Sequence, residues 1–136
     1  MGLLRELDDE LASRYPDAPI HGIDGFQFSL TKGYFVVART FDETVGCGAF
    51  RPLDTGSVEI KRMFVRPAFR GRGIARAILA ALHAEARRRG YRSAVLETGQ
   101  RQPEAIALYE SEGYEHIEPF GPYVGSDISV CFRKTL

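Results

Sequence analysis

The spacing of apolar residues changes period several times along this chain, and each change marks an element. Leu3, Leu4, Leu7, Leu11 and Ala12 recur at helical spacing, which predicts an amphipathic helix over residues 3–14. Pro16 and Pro19 end it, and residues 16–25 read as a loop. Residues 26–30 alternate as a short strand does. Residues 34–41 and 45–53 read as two strands joined by a turn of Asp42, Glu43 and Thr44. Asp54-Thr55-Gly56 is a second turn, leading into a strand over 58–65 that Arg66-Pro67 stops. Ile74, Ala75, Ile78, Leu79, Leu82 and Ala86 then keep a helical stripe over 74–89, and Gly90 is the expected stop. Residues 93–98 form the next strand. Pro103 opens a second helix with Ala105, Ile106, Leu108 and Tyr109 on or near its apolar face, and Gly113 closes it. Residues 114–117 and 128–133 are the final strands, joined by a loop rich in Gly and Pro over 119–127.

A crossover helix between the strands 58–65 and 93–98 makes those two parallel neighbours, while short turns make the rest antiparallel. The expected fold is α+β: a mixed, mostly antiparallel sheet flanked by helices. Its 136 residues suit a single domain, 1–136, with a core large enough to stand without staples. At 44% hydrophobic and 26% charged, the composition is that of an ordinary globular chain. No apolar run approaches the roughly 20 residues of a membrane span. Early acids at Glu6 and Asp8 break any signal-peptide pattern, so the expectation is a cytoplasmic protein with no membrane partner. Cys47 and Cys131 lie in separate strands and read as reduced core residues. The scattered His21, His83 and His116 offer no metal set. His83 reads as a helix-surface residue and His116 as a strand-edge residue.

Charge alters this picture. Residues 61–92 carry ten basic and one acidic side chain, although the whole chain is neutral. Arg87, Arg88 and Arg89 end a helix, where cations suit the macrodipole. Arg70 and Arg72 instead flank a helix start, where cations oppose it. Their neighbours are Gly71 and Gly73, at a strand-to-helix turn that exposes backbone N–H groups. Such a turn binds phosphate, and bound phosphate accounts for the arginines. A dinucleotide fingerprint fails because Arg76 stands where its third glycine or alanine belongs, and residues 66–70 lengthen the turn. A Walker loop fails because no Lys-Ser or Lys-Thr follows. The pattern that fits is Arg70-x-x-Gly73-x-Ala75.

That hexapeptide resembles the acetyl-CoA pyrophosphate loop of the GNAT superfamily of N-acetyltransferases, Gln/Arg-x-x-Gly-x-Gly/Ala. Its surroundings match as well. Glu59-Ile60-Lys61-Arg62-Met63-Phe64-Val65-Arg66-Pro67 is similar to the strand that leads into the family's loop. Ala105-Ile106-Ala107-Leu108-Tyr109-Glu110-Ser111-Glu112-Gly113-Tyr114 is similar to the family's Ala-x-x-Leu-Tyr-x-x-x-Gly-Phe/Tyr segment. Segments 96–99, 102–105 and 129–132 resemble a subgroup of small bacterial members. Two features depart from the pattern. Family members begin with a strand before the first helix, which is missing or replaced here. Gln102 stands where the family carries Asn.

The resemblance implies acetyl-CoA as donor and attack of an amine on its thioester in a ternary complex. It places the pyrophosphate on Arg70, Gly71, Arg72, Gly73, Ile74 and Ala75, and the pantetheine arm on the free backbone groups of Met63, Phe64 and Val65. Gln102 is a further cofactor-binding candidate. Tyr109 takes the position of the tyrosine that protonates the leaving thiolate. Glu59 occupies the position where some members carry a catalytic glutamate. Glu97, at the carboxyl end of a parallel strand, is a second candidate base. Strict alternation puts Glu59, Lys61, Met63 and Val65 on one face. Either acid could instead recognise a cationic substrate.

The acceptor side is expected from residues 15–30 and the 119–127 loop, with Phe120, Pro122 and Tyr123 as an aromatic wall and Tyr15, Phe26 or Phe28 facing it. A small primary amine is the leading acceptor, with a protein or peptide amine as an alternative. An acetyl-CoA sensor without turnover is a further reading, and a homodimer is left open. Nothing interleaves aromatics with the arginines as nucleic-acid binding asks, so no nucleic-acid partner is expected.

Overall fold

The computed structural model describes residues 32–40 and 43–136. The helix expected over 3–14, the loop 16–25, the strand 26–30, His21 and the question of a first strand lie outside the described residues, as do Tyr15, Phe26 and Phe28. The described chain runs β1 (Tyr34–Thr40), β2 (Glu43–Pro52), β3 (Ser57–Val65), α1 (Ile74–Arg88), β4 (Ser93–Gly99), α2 (Pro103–Ser111), β5 (Glu115–Ile117) and β6 (Ser129–Thr135). Among the described residues these strands form one sheet in the order β1-β2-β3-β4-β6-β5. No helix of the described residues is long and apolar enough to cross a membrane.

Every neighbouring pair is antiparallel except β3 and β4. The turn between β2 and β3 is held by Asp54, whose carboxylate accepts the Gly56 N–H at 2.9 Å. The crossover through α1 makes β3 and β4 parallel, as the helical stripe predicts. That stripe is buried: Ile78, Leu79, Leu82 and Ala86 pack with Phe50, Val58, Ile60, Leu96 and Phe132 in one core. Fully burying a side chain such as Leu79 or Leu82 stabilises the fold by about 1.5–3 kcal/mol. Gly48 lets α1 lie close to β2, because a Cβ there would meet Ile78 Cγ2 at 2.5 Å and Met63 Sδ at 2.7 Å.

Two expectations are corrected. His83 is not on the helix surface. It is buried at 5% exposure and bonded to the Tyr114 hydroxyl, because it sits one residue past Leu82 at the margin of the stripe, where β5's entry covers it. Strict alternation along β3 also fails. Arg62 has φ of 60°, and the β2–β3 register shifts between Cys47 and Ala49, which marks a bulge. The Cys47 thiol caps it by donating to the Arg62 carbonyl at 3.2 Å. The extra residue shifts the phase, so Met63 and Val65 pack toward the α1 core while Glu59 and Lys61 face the other side. Cys47 and Cys131 are free and buried, as expected.

Candidate active site

The parallel ladder between β3 and β4 is short. It runs from Ser57 opposite Ser93 to Ile60 opposite Leu96 and stops there. Beyond it β3 keeps pairing with β2 through Lys61, Phe64 and Val65, while β4 keeps pairing with β6 through Glu97, Thr98 and Gly99. The two strands therefore part. A cleft of about 440 Å³ opens at the parting, within the usual range of small-ligand pockets. Met63, Phe64, Val65, Gly71, Gly73, Ile74 and Ala75 line one wall, and Gln102, Ala105, Leu108 and Tyr109 line the other.

Local chemistry explains the first wall. Pro67–Phe69 forms a single 3-10 turn, and Arg66 N–H anchors it on the Val45 carbonyl at 2.8 Å. The chain then turns through Gly71 and Gly73, both at φ of 79°, a left-handed conformation that side chains oppose. A Cβ at either would meet nothing within 4 Å, so glycine is required here by backbone conformation, with open space beyond it. Gly73 is the N-cap of α1 and carries no side-chain cap. By helix geometry the N–H groups of Ile74, Ala75 and Arg76 have no intrahelical acceptor. An anion can take that place.

The arginines divide their work. Arg70 lines the cleft, donates from Nε to the Val65 carbonyl at 2.8 Å and lies 5.5 Å from the Phe64 ring centre, so it ties the loop to β3. Arg72 stacks 5.2 Å from the centre of Phe69 and is not among the cleft-lining residues. Arg76, which the sequence marked only as a break in the dinucleotide fingerprint, does line the cleft and pairs with Glu112 at the far end of α2. Its signal was its spacing: it follows Gly73 by three residues and so shares that face of the first turn.

On the second wall, Tyr109 is 6% exposed and its ring lies between Tyr114 and Phe132, at 5.7 and 6.1 Å between centres. Its hydroxyl makes no hydrogen bond to another described residue. Burial, helped by the negative charge of Glu97, raises its pKa above the ordinary phenol value. Gln102 is the N-cap residue of α2, and its Oε1 accepts the Gly99 N–H at 3.3 Å. It thus joins α2 to the end of β4 while lining the cleft.

The two acids lie on the opposite face of the sheet from the helices and outside the cleft lining. Glu59 is fully buried and surrounded by donors. Arg51 reaches its Oε1 through Nε at 3.0 Å and through its terminal nitrogen at 2.9 Å. The Tyr123 hydroxyl donates to Oε2 at 2.9 Å, and Lys61 lies 3.6 Å from the same oxygen. Lys61 also donates to the Tyr123 hydroxyl at 2.9 Å, and burial lowers its pKa. Tyr123 is therefore a buried polar clamp, with the Phe120 ring packed edge-on against it at 5.3 Å. It brings the 119–127 loop onto the parting of the sheet. Glu97 is half-buried and accepts a hydrogen bond from Ser129 at 2.8 Å. Removing the clamp should be costly: Tyr123→Phe should lower the unfolding free energy by about 1–3 kcal/mol, the penalty for leaving buried charged partners short of one hydroxyl. A urea-midpoint comparison checks this, and an unchanged midpoint would remove the clamp from the account.

Known proteins are similar to this chain in sequence and in fold. Residues 31–116 match the family described as an acetyltransferase (GNAT) domain. The chain is 40% identical over 136 residues to an IAA acetyltransferase of Azospirillum brasilense, covering 98% of this chain and 88% of that protein. A Klebsiella pneumoniae structure assigned to the acyl-CoA N-acyltransferases superposes with a TM-score of 0.81 at 34% identity, covering 98% of this chain and 87% of that one. A GNAT family acetyltransferase of Elizabethkingia anophelis, solved with acetyl-CoA bound, shares the fold at a TM-score of 0.68 and 22% identity, over 79% of this chain and 78% of that one. With the parted strands, the glycine turn and the tyrosine wall in one cleft, and with matches spanning most of its length, this chain belongs to the GNAT family of acetyltransferases.

Proposed function

We propose that the chain is an acetyl-CoA-dependent N-acetyltransferase that moves the acetyl group to the primary amine of a small molecule by direct attack in a ternary complex. The observation that carries this reading is the cleft itself, which joins a helix start with no side-chain cap, a strand edge that β4 no longer pairs and the Tyr109 phenol. The residues fit the donor. The open N–H groups of Ile74, Ala75 and Arg76 suit a pyrophosphate, and Arg70 and Arg76 add charge at the same wall. The β3 edge past Ile60, which β4 no longer pairs, suits an extended amide-bearing arm at Met63, Phe64 and Val65, as an added strand would, with the Val65 carbonyl already taken by Arg70.

Bound acetyl-CoA would supply the activated thioester. The chain's own groups do the rest. A backbone N–H of the freed β3 edge would polarise the carbonyl as an oxyanion donor. Tyr109, kept protonated by burial, would donate to the departing sulfur. The incoming amine, near pKa ~10 by analogy with lysine, must lose a proton. Glu97, the less buried of the two acids, is the better-placed acceptor for it, directly or through water; Glu59 is already committed to Arg51, Lys61 and Tyr123. That commitment also favours a second reading, an acetyl-CoA sensor without turnover.

Thermal-shift measurements with acetyl-CoA, CoA and a polyanion, followed by thiol release across a panel of small amines and a lysine peptide, test these readings. Stabilisation by both CoA forms and turnover with a small amine are expected. Stabilisation by polyanion alone would sink the cofactor assignment, and stabilisation without thiol release would leave the sensor. Within the loop, Gly73→Ala forces a side chain into the left-handed region at about 1–2 kcal/mol. The acetyl-CoA KM should rise roughly 5- to 30-fold with kcat at saturation little changed. A normal KM would show that the loop conformation is not needed for the donor.

A further inference from the structure

The core contains a polar pair that the proposed chemistry does not use. His83 on α1 and Tyr114, the residue leading into β5, are both at least nine-tenths buried, and His83 Nε2 lies 2.6 Å from the Tyr114 hydroxyl. A polar pair costs desolvation in an apolar core, so its position needs a reason. Its surroundings supply one. The Tyr114 ring meets the Tyr109 ring edge-on, at 5.7 Å and 65°. The Tyr114 N–H donates to the Tyr109 carbonyl at 3.0 Å, across the left-handed Gly113 that ends α2. Phe132 closes the other side of Tyr109. The pair thus ties α1, whose first turn forms one wall of the cleft, to the segment that carries the other wall's tyrosine. Core packing alone confines the Tyr114 ring, but it gives the hydroxyl no fixed anchor. The hydrogen bond to His83 fixes its ring, and the ring in turn limits the angles Tyr109 can take.

We infer that His83 and Tyr114 are positioning residues whose hydrogen bond sets the orientation of the Tyr109 hydroxyl in the cleft. This rests on the reading of Tyr109 as the group that protonates the leaving thiolate. Misplacement of a reacting group by even 1 Å can cost on the order of 10²-fold, so a looser ring should be visible in turnover.

The test uses the full chain labelled with 3-fluorotyrosine, with the Tyr109 line identified by its loss in Tyr109→Phe. Tyr114→Phe keeps the ring and removes the bond. It should broaden or split the Tyr109 line, reduce the line's response to added CoA, and lower kcat about tenfold with the acetyl-CoA KM unchanged. His83→Leu should do the same, whereas His83→Gln, which keeps a hydrogen-bonding amide, should restore most of kcat. In the Tyr109→Phe background, Tyr114→Phe should cost no further kcat, an interaction that a general loss of stability would not produce. An unchanged Tyr109 line in Tyr114→Phe overturns the inference, as does a full additive loss in the double variant. A near-normal kcat in Tyr109→Phe alone would instead remove the acid role, and the fluorine line would still decide whether the pair orients the ring.

Discussion

Tyr109→Phe should lower kcat by roughly 10²-fold or more while the acetyl-CoA KM stays nearly constant. The hydroxyl belongs to a cleft wall and makes no hydrogen bond to another described residue, so its removal should not lower the melting temperature. That separation makes the result diagnostic: activity falls while stability holds. Burial raises the phenol above its ordinary pKa, which at first sight makes it a poorer acid toward a thiolate near pKa ~8.5. The same dry wall would raise the pKa of a thiol brought beside it, so donor and acceptor remain matched. Since Tyr109 is raised and not lowered, its own ionisation should leave kcat flat up to at least pH 10. An alkaline decline below that pH that disappears in Tyr109→Phe would contradict the burial argument. A near-normal kcat in the variant would remove Tyr109 from the chemistry altogether.

Much of this site was legible because its signals are local. Pro103 and Gly113 bracket α2, Gly90 ends α1, and the glycine turn between Arg70 and Ala75 declares its backbone conformation in its composition. The parallel pairing of β3 and β4 followed from the crossover helix alone. What the sequence did not disclose depends on contacts between distant segments. The bulge at Arg62 has no Gly to announce it, yet it moves Met63 to the other side of the sheet from Glu59. Tyr123 reads only as part of a loop's aromatic wall until the fold brings Lys61 and Glu59 beneath its hydroxyl. His83 falls one position beyond the apolar stripe, and only Tyr114, 31 residues later, provides the partner that makes its burial tolerable.

His83 should also make the fold sensitive to acid. Burial, reinforced by the positive charges of Lys134 and Arg87 and only partly opposed by Glu112, lowers its pKa to about 4 from an ordinary 6.5. The remaining neighbour is the neutral Tyr114 hydroxyl. The folded protein therefore holds His83 neutral where the unfolded chain would protonate it. Its contribution is fully present above pH 6.5, declines as pH falls below that value, and is lost once pH passes about 4. The shift is worth about 3 kcal/mol over the full window, of which roughly 2–3 kcal/mol is gone by pH 4.5. Carboxylates titrate in the same range, so a falling stability curve proves nothing by itself. The informative quantity is a difference. Urea unfolding at pH 7 and pH 4.5 should show wild type losing roughly 2–3 kcal/mol more than His83→Gln, whose amide does not titrate. The substitution's own cost at pH 7 cancels from that comparison. Equal losses in the two proteins would mean that His83 takes up its proton as readily in the fold as in the unfolded chain, and would overturn the burial argument.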